Sequence, residues 1–351
     1  MRVVVLGLSI TSSWGNGHAT NFRALCTALR DRGHDVLFLE RDKPWYAAAR
    51  DFDAPWVHLY DSVEELSSRE EDVRAADLVV IGSFVPDGVE VAEWALGVAT
   101  GTVAFWDIDT PVTAAKLAAG DDEYLTPALV PRFDLYLSFT GGPLLQSLGA
   151  RRPHAFWCMV DPGRYAPAEA APRWELGYLG TYSEDRQAAL ERLLLATAGR
   201  LPARRFAVAG PLYPDELEWP ENVDRIENVA PTGHPDFYCS QRFTLNITRE
   251  AMVRAGWSPS VRLFEAAACA TPVISDWWEG LDAFFEPGWE ILVAADADDV
   301  ERCLVDLAED ERRAIGRRAR ERVLREHTAE RRAAELELLV RETDAESKAA
   351  A

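Results

Sequence analysis

The sequence has few cysteines, fewer basic than acidic residues, and no long hydrophobic run. Its cysteines are odd in number and form no C-x-x-C pair; they stand at positions 26, 158, 239, 269 and 303. This argues against a disulfide framework or a zinc site and fits a reducing cytoplasm. No segment reaches the roughly 18 apolar residues of a membrane helix, and the apolar start of the chain is too short for a signal peptide. We therefore expect a cytoplasmic protein without a transmembrane segment.

Basic residues number 37 and acidic residues 58, which gives a formal net charge of −21. This balance excludes the nucleic-acid backbone as a general partner, because affinity for it comes from clustered Lys and Arg. A small anionic ligand is still compatible, since it needs only one or two cations and a helix N-terminus. The length of 351 residues predicts two domains of about 150–180 residues each.

Short apolar strands alternate with helical patterns in both halves of the chain. The predicted strands are 2–7, 35–40, 78–82, 102–106 and 135–139, then 176–179, 206–210, 223–228, 243–247 and 273–274. This alternation is typical of α/β proteins, and we predict two facing Rossmann-like, doubly wound parallel-sheet domains. The predicted domains are 1–165 and 174–330, separated by a Pro/Ala-rich linker, with a C-terminal helix 331–351 that packs back on the first domain and frays at its end. Ligands of such sheets bind outside the carboxyl ends of the strands, here in a cleft between the domains.

The segment from Ser258 to Asp276 predicts a capped helix, a tight turn and a buried strand. Ser258 is a suitable helix cap, and the proline after it suits the first helical position. Glu265 lies inside this apolar stretch, where a carboxylate is costly to bury without a partner. It therefore either meets an arginine or accepts hydrogen bonds from ligand hydroxyls.

A polar loop with two glycines follows the first strand and ends at His18. Trp14, Gly15 and Gly17 lie in this loop, where glycine lets the backbone approach a ligand. The loop is not a G-x-G-x-x-G fingerprint, because Thr20 takes the third glycine's place, and no P-loop lysine follows. Either the loop is a plain strand-to-helix turn, or His18 acts as a base, an oxyanion donor or a cap.

Asp107 and Asp109 follow the strand 102–106. Side chains alternate across a strand, so only one of the two carboxylates faces the cleft, and we favour Asp109. Three roles are open for this D-x-D sequence: metal binding, a base or sugar contact, and capping of the turn.

Two arginines and an aromatic loop stand at strand ends in the second half. Arg186 and Arg249 each either contact a phosphate or form a local ion pair. Trp277, Trp278 and Glu279 follow the strand 273–274, where the rings either stack on a ring-shaped ligand or pack at the rim of the site.

The segment "SPSVRLFEAAACATPVISD" resembles the donor-site block of the glycosyl-transferase group 1 superfamily. Together with "LNITRE" and "REHTAERR" it is similar to the CgeB-like (spore-maturation type) glycosyltransferases, and residues 7–40 resemble the superfamily's glycine loop, helix and strand. The resemblance implies a GT-B fold, with an acceptor-side first domain and a second domain that binds a nucleotide-sugar donor.

The resemblance also implies roles for individual residues. Glu265 would accept from the donor's ribose hydroxyls, and the helix start at Ser258, Ser260 and Val261 would face the diphosphate. Arg186 takes the place of the superfamily's lysine. Gly15 and Gly17 would let the first domain close over the donor.

The sequence departs from the superfamily at three places. Trp257 stands where retaining members have an earlier glutamate, and Thr181 replaces an arginine. Residues 277–280 replace a glycine pair.

We therefore expect a glycosyltransferase that moves a sugar from a nucleotide-diphosphate sugar to an acceptor hydroxyl, with no metal and no cofactor. Arg186, Arg249 and the helix start would stabilise the leaving diphosphate. His18 or Asp109 would be the base if the reaction inverts, and would only position the sugar if it retains. The alternatives are a GT-B-fold nucleotide-sugar 2-epimerase and a catalytically inactive scaffold or partner protein.

Overall fold

A computed structural model describes residues 1–13, 17–168 and 171–350, and the structural statements below refer to these residues. The chain divides into two compact units. Unit 1 comprises Met1–Met159 and Ala329–Ala351, and unit 2 is Val160–Thr328. The chain therefore leaves unit 1 once and returns to it for its last helix.

Unit 1 contains a parallel sheet of seven strands among the described residues. The strands are β1 (Arg2–Gly7), β2 (Asp35–Arg41), β3 (Val57–Tyr60), β4 (Leu78–Gly82), β5 (Thr102–Asp107), β6 (Leu135–Ser138) and β7 (Pro153–Ala155). The helices are α1 (His18–Asp31), α2 (Pro44–Ala47), α3 (Glu70–Arg74), α4 (Gly88–Val98), α5 (Thr110–Ala119), α6 (Gly142–Ser147) and α15 (Ala329–Ala350), with 3-10 turns at Val63–Arg69 and Val130–Arg132.

The sheet of unit 1 has the order β3-β2-β1-β4-β5-β6-β7. The central strands are almost wholly apolar and buried, as expected for parallel strands covered on both faces. Phe22 of α1 packs its ring 5.1 Å from the rings of Phe38 and Trp106. The chain order reverses between β1 and β4, which is where ligands bind in such folds.

Unit 2 contains a second parallel sheet, with six described strands. The strands are β8 (Trp174–Leu179), β9 (Phe206–Ala209), β10 (Val223–Ile226), β11 (Gln241–Asn246), β12 (Val273–Ser275) and β13 (Leu292–Val293). The helices are α7 (Glu184–Leu190), α8 (Ala196–Arg200), α9 (His234–Cys239), α10 (Glu250–Ala255), α11 (Val261–Ala268), α12 (Leu281–Phe284), α13 (Ala297–Val305) and α14 (Glu309–Glu326). A π-helical segment Glu191–Leu195 joins α7 to α8, and a 3-10 turn Pro231–Gly233 precedes α9.

The strand order of unit 2, β10-β9-β8-β11-β12-β13, repeats the order of unit 1. The predicted fold class of doubly wound parallel α/β domains is therefore confirmed. The strands that the sequence pattern missed are β3, β7 and β13, which lie at the sheet edges. They are short or only partly buried, so they lack the continuous apolar run that marks a central strand.

The Pro/Ala-rich stretch after residue 160 belongs to unit 2. Its Tyr165 is buried, and the backbone N–H of Ala168 donates to the thiol of Cys239 at 3.3 Å. A stretch with the composition of a linker is thus packed onto a domain where the structure describes it.

The last helix, α15, packs against α1 within unit 1. Its Glu337 accepts hydrogen bonds from Arg32 Nε at 2.6 Å and contacts His34 Nε2 at 2.7 Å. Helix α15 is too polar to cross a bilayer, as is every other described helix of sufficient length.

Candidate functional site

Two polar groups of unit 1 meet at the carboxyl ends of their strands. His18 is the first residue of α1, after β1, and Asp109 follows β5. His18 Nε2 lies 3.1 Å from Asp109 Oδ2. The histidine side chain is 6% exposed and the aspartate side chain 50% exposed. The pair therefore has one buried and one accessible member, which is suitable for moving a proton to or from a ligand.

Buried Glu40, at the end of β2, anchors the start of the loop that leads to His18. It accepts hydrogen bonds from the backbone N–H groups of Ile10 at 2.6 Å and Thr11 at 2.9 Å, and from the Thr11 hydroxyl at 2.6 Å. This carboxylate satisfies donors that would otherwise be buried without a partner. It holds the described part of the loop in one conformation.

Asp107, the other carboxylate of the D-x-D sequence, lies in the interior. It accepts from the hydroxyls of Thr113 and Tyr136, each at 2.7 Å. Burial raises the pKa of Asp107 to about 6, and the two hydrogen bonds act against that rise. The two aspartates point to different surroundings, as the alternation along the strand predicts, and Asp109 is the accessible one.

The glycine loop is only partly described. Trp14 and Gly15, both predicted to contact the ligand, lie outside the described residues. Gly17 is the residue before α1 and has φ of −85°, and a Cβ at this position would meet no described atom within 4 Å. Space is thus present at Gly17, but its backbone does not require glycine.

The carboxyl edge of the unit 2 sheet carries arginines, whereas that of unit 1 carries His18 and Asp109. Arg186 lies in the first turn of α7, after β8, and its guanidinium donates to the carbonyl of Thr181 at 2.6 Å. Its Nε is buried with no hydrogen-bond partner among the described residues. Burial lowers the pKa of Arg186 below its ordinary value, and the positive charges of Arg262 and Arg249 add to this. Arg262 and Arg249 thus each lie close enough to Arg186 to repel its charge.

Arg262 was not predicted from the sequence, although it stands three residues before Glu265 in the same apolar run. Its Nε donates to the carbonyl of Leu179 at 2.6 Å, and a terminal nitrogen donates to Asn246 Oδ1 at 2.9 Å. Its guanidinium carbon lies 4.9 Å from the centre of the Tyr178 ring. These contacts are neutral, so they position Arg262 without cancelling its charge.

The start of α11 differs from the prediction in detail. The helix begins at Val261, and Ser260, not Ser258, is the residue before it. The Ser260 hydroxyl donates to Asn246 Oδ1 at 2.7 Å and does not cap the helix. Ser258 lies two residues before Ser260 and is buried. The first amide N–H groups of a helix have no partner within the helix, so this end is electropositive.

Glu265, in the second turn of α11, is 4% exposed. Its two oxygens accept hydrogen bonds from the hydroxyls of Tyr165 at 2.7 Å and Tyr238 at 3.0 Å. His234 Nδ1 lies 3.9 Å from the same carboxylate. Of the two alternatives predicted for Glu265, an arginine partner is not found within the described part of unit 2, and two tyrosine hydroxyls bond the carboxylate. The sequence alone did not indicate either tyrosine.

The aromatic loop after β12 divides into an exposed and a buried half. Trp277 is 52% exposed and Glu279 is exposed. Trp278 is buried, with its ring 5.8 Å from that of Phe284. Of the two alternatives predicted for these rings, stacking on a ligand is wrong for Trp278, because its ring is part of the core.

Trp257, at the place of the superfamily's earlier glutamate, has a left-handed backbone with φ of 47°. Its N–H donates to the carbonyl of Glu279 at 2.6 Å. A Cβ on Gly280 would come within 2.6 Å of the Trp257 ring. Glycine at 280 thus lets this strained tryptophan lie against the loop.

Arg249 is exposed at the end of β11 and immediately precedes α10. Among the described residues, no group of three or more His, Cys, Asp or Glu side chains is arranged to hold a metal ion. Metal independence stays a prediction that needs an experiment.

The chain is similar over almost its whole length to solved glycosyltransferase structures. Sucrose-phosphate synthase from Thermosynechococcus elongatus superposes with a TM-score of 0.70 at 15% identity, covering 98% of this chain and 100% of that one. The fold is GT-B. HepE from Anabaena, in complex with UDP and glucose, gives a TM-score of 0.69 at 13% identity over 97% of this chain and 99% of its own. AviGT4, a glycosyltransferase involved in avilamycin A biosynthesis, gives 0.61 at 18% over 96% and 97%.

Residues 186–337 match the family model described as glycosyl transferase-like. No curated protein sequence matches the chain. The family match covers the segment with Arg186, Arg249, Arg262 and Glu265. It agrees with the expected resemblance to the group 1 glycosyltransferases in the second half of the chain.

Proposed function

We propose that this protein is a glycosyltransferase that moves a sugar, a hexose or a close relative, from a nucleotide-diphosphate sugar to an acceptor hydroxyl. The observation that carries the proposal is the group of Arg186, Arg249 and Arg262 at the carboxyl edge of the unit 2 sheet. The family match over residues 186–337 and the GT-B fold support it.

The arginines bind and stabilise the diphosphate. When the bond between sugar and phosphate breaks, negative charge builds on the leaving group, and preplaced cations lower the energy of that state. Arg262 and Arg186 make their hydrogen bonds to neutral oxygens. The charge of Arg262 is therefore available to an anion, and that of Arg186 is partly offset by the nearby Asp185 carboxylate. The start of α11 at Ser260 and Val261 adds backbone donors, as in other anion sites.

Glu265 accepts the donor's ribose hydroxyls. The support is its place on the helix that also carries Arg262, together with the resemblance of this segment to the superfamily's donor block. Trp277 and Glu279 in the loop after β12 contact the sugar or the acceptor.

The His18–Asp109 pair acts on the acceptor side of the reaction. In an inverting reaction the pair takes the proton of the attacking hydroxyl, with Asp109 as its accessible member. In a retaining reaction the leaving phosphate takes that proton, and the pair positions the sugar. Gly15 and Gly17 allow the donor to approach the loop before His18.

The reaction needs no metal ion and no cofactor in this proposal, because the arginines take the place of a divalent cation at the diphosphate. The sequences "LNITRE" and "REHTAERR" support membership of the CgeB-like subgroup.

A thermal-shift screen of UDP-, GDP-, ADP- and TDP-sugars tests the proposal. A ligand that binds the native state raises the melting temperature, and one of these donors should do so in the wild-type protein. Arg262→Ala should remove this increase in melting temperature. Arg192→Ala removes an exposed arginine that donates to the carbonyl of Ala295, and this control should keep the increase. If no nucleotide sugar shifts the wild-type protein, or if Arg262→Ala binds as well as wild type, the proposal is wrong.

A further inference from the structure

We propose that Tyr165 and Tyr238 are positioning residues that orient Glu265 and thereby set the preference for a ribonucleotide over a deoxyribonucleotide. The inference rests on the proposed function, because it assigns the ribose of the donor to Glu265. It concerns two side chains that neither the sequence pattern nor the resemblance indicates.

Each oxygen of the Glu265 carboxylate accepts a hydrogen bond from a different tyrosine. Tyr165 donates to Oε1 at 2.7 Å and Tyr238 donates to Oε2 at 3.0 Å. A carboxylate oxygen has about two lone-pair positions, so each oxygen of Glu265 retains one for a further donor. The neighbouring hydroxyls of a ribose supply two donors side by side, one for each oxygen of Glu265.

The Glu265 carboxylate and its two tyrosine partners lie in three separate parts of the chain. Tyr165 lies in the segment that precedes β8, Tyr238 lies in α9, and Glu265 lies in α11. All three side chains are almost completely buried. A side chain fixed from both sides loses little rotamer freedom when a ligand binds, so more of the interaction energy becomes affinity.

The partners leave the negative charge of Glu265 uncancelled. Burial and the neighbouring carboxylate hold the pKa values of Tyr165 and Tyr238 above that of a free phenol, so both hydroxyls stay protonated and donate. Burial lowers the pKa of His234 below its ordinary value, although Glu265 acts against this, so the shift disfavours a charged partner for Glu265. An arginine in their place would occupy both oxygens in a bidentate pair.

A ribose that lacks a hydroxyl would leave a buried acceptor of Glu265 without a partner. Sites built to hydrogen-bond a hydroxyl reject analogues that lack it, because the unpaired group keeps its desolvation cost. The strength of this rejection depends on how firmly the acceptor is held. Loss of one tyrosine hydroxyl lets the carboxylate rotate toward the remaining one.

The nucleoside diphosphate that stabilises the wild-type protein most is first chosen from UDP, GDP and ADP. Calorimetry then measures the Kd of this nucleotide and the Kd of its 2′-deoxy form. Wild type should prefer the ribo form by roughly 10-fold or more. Tyr165→Phe and Tyr238→Phe should each reduce this preference by about 3-fold or more, and the double variant should nearly remove it. Affinity for the deoxy form should change little.

Tyr60→Phe is the matched control, because the buried Tyr60 hydroxyl has no hydrogen-bond partner among the described residues. It should leave the preference unchanged. The two single variants test the inference independently, so a folding defect in one leaves the other informative.

Three results would overturn the inference. If wild type binds no nucleotide, the proposed function fails and the inference fails with it. If wild type prefers the ribo form and both tyrosine variants retain the full preference, only the inference fails. If a variant weakens the ribo and deoxy forms equally, the tyrosine has a structural role and does not set the preference.

Discussion

The two sheets have the same strand order, but the residues at their carboxyl edges have opposite chemical character. In unit 1, β1 and β5 are followed by His18 and Asp109, which can exchange a proton. In unit 2, β8 and β11 are followed by Arg186 and Arg249, which are cations. Topology therefore places the edge residues, and side-chain identity determines what each edge can bind.

The two edges also differ in the surroundings of their buried carboxylates. Asp107 in unit 1 is buried with two hydroxyl donors, and its pKa rises to about 6 because burial dominates. Glu265 in unit 2 also has two hydroxyl donors but shares its helix with Arg262. Two carboxylates with similar donors thus have different neighbours. Glu265 has an arginine one turn away on its own helix, which suits a site for an anionic ligand.

The largest expected effect comes from the proton-transfer pair. Asp109→Asn and His18→Ala should lower kcat by about 10²- to 10⁴-fold, because general acid–base groups contribute that much. Nucleotide affinity should be unchanged, since the pair does not contact the donor's diphosphate in the proposal. Steady-state kinetics and calorimetry on the same preparations measure both quantities. An unchanged kcat in both variants would remove the pair from the mechanism.

Glu265→Ala should weaken nucleotide binding by about 100-fold, because two hydrogen bonds to a charged acceptor are lost. Calorimetry measures the affinity, and the melting temperature without ligand reports folding. Glu286→Ala is the control, since it removes an exposed carboxylate that follows α12 and has no role in the proposal. Binding as tight as in wild type would exclude the ribose role.

Arg186→Ala should lower kcat by roughly 10-fold to 100-fold, the scale of a lost charge-assisted hydrogen bond in the transition state. The only described hydrogen bond of the Arg186 side chain is to the Thr181 carbonyl, so the melting temperature should fall little. Arg192→Ala, in the same stretch of helix, should change neither. If activity and stability fall in proportion, Arg186 has a structural role.

Glu337 differs from Glu265, because an arginine side chain already donates hydrogen bonds to its carboxylate. Hydrogen bonds from Arg32 lower its pKa to about 2, and His34 adds to this. A depressed pKa stabilises the fold above the ordinary value near 4.5, and this contribution is lost as the pH falls from there toward 2. Glu337→Gln should cost roughly 1–3 kcal/mol at pH 7.

Urea unfolding between pH 7 and pH 3 measures this contribution of Glu337. The difference between wild type and Glu337→Gln should shrink across the acid part of that range. Glu342→Gln, at an exposed position on the same helix, should cost little at any pH. A difference that does not change with pH would mean that packing, not charge, stabilises the contact.

The smallest expected effect is that of a chelator. Activity in excess EDTA should stay within about 2-fold of the untreated value, because arginines take the role of a metal at the diphosphate. If EDTA abolishes activity and manganese restores it, this expectation is wrong, and Asp107 and Asp109 become candidate metal ligands.

The sequence predicted the core of each sheet because central parallel strands are continuous apolar runs, and that signal is local. It missed the edge strands β3, β7 and β13, whose short or partly exposed segments lack this signal. It indicated His18 and Asp109 one by one, because each stands at the end of a strand. That the two lie 3.1 Å apart follows only from the sheet order, since 91 residues separate them.

The sequence contains a local signal for Arg262. A buried charge needs a partner, and this holds for the arginine one turn before Glu265 on α11 as it does for Glu265 itself. Tyr165 and Tyr238 carry no such signal. A tyrosine is common in any core, and only the packing of three elements brings both hydroxyls to one carboxylate.

The sequence by itself determined that the chain forms two doubly wound parallel sheets and that polar residues stand at their carboxyl ends. Both properties depend on short-range patterns of apolar and polar residues, which the covalent order contains directly. The tertiary structure alone decided which of these residues meet: His18 with Asp109, Arg186 with Arg262, and Glu265 with two tyrosines. Such pairs join residues far apart in the chain, and their distances are set by how helices pack on sheets.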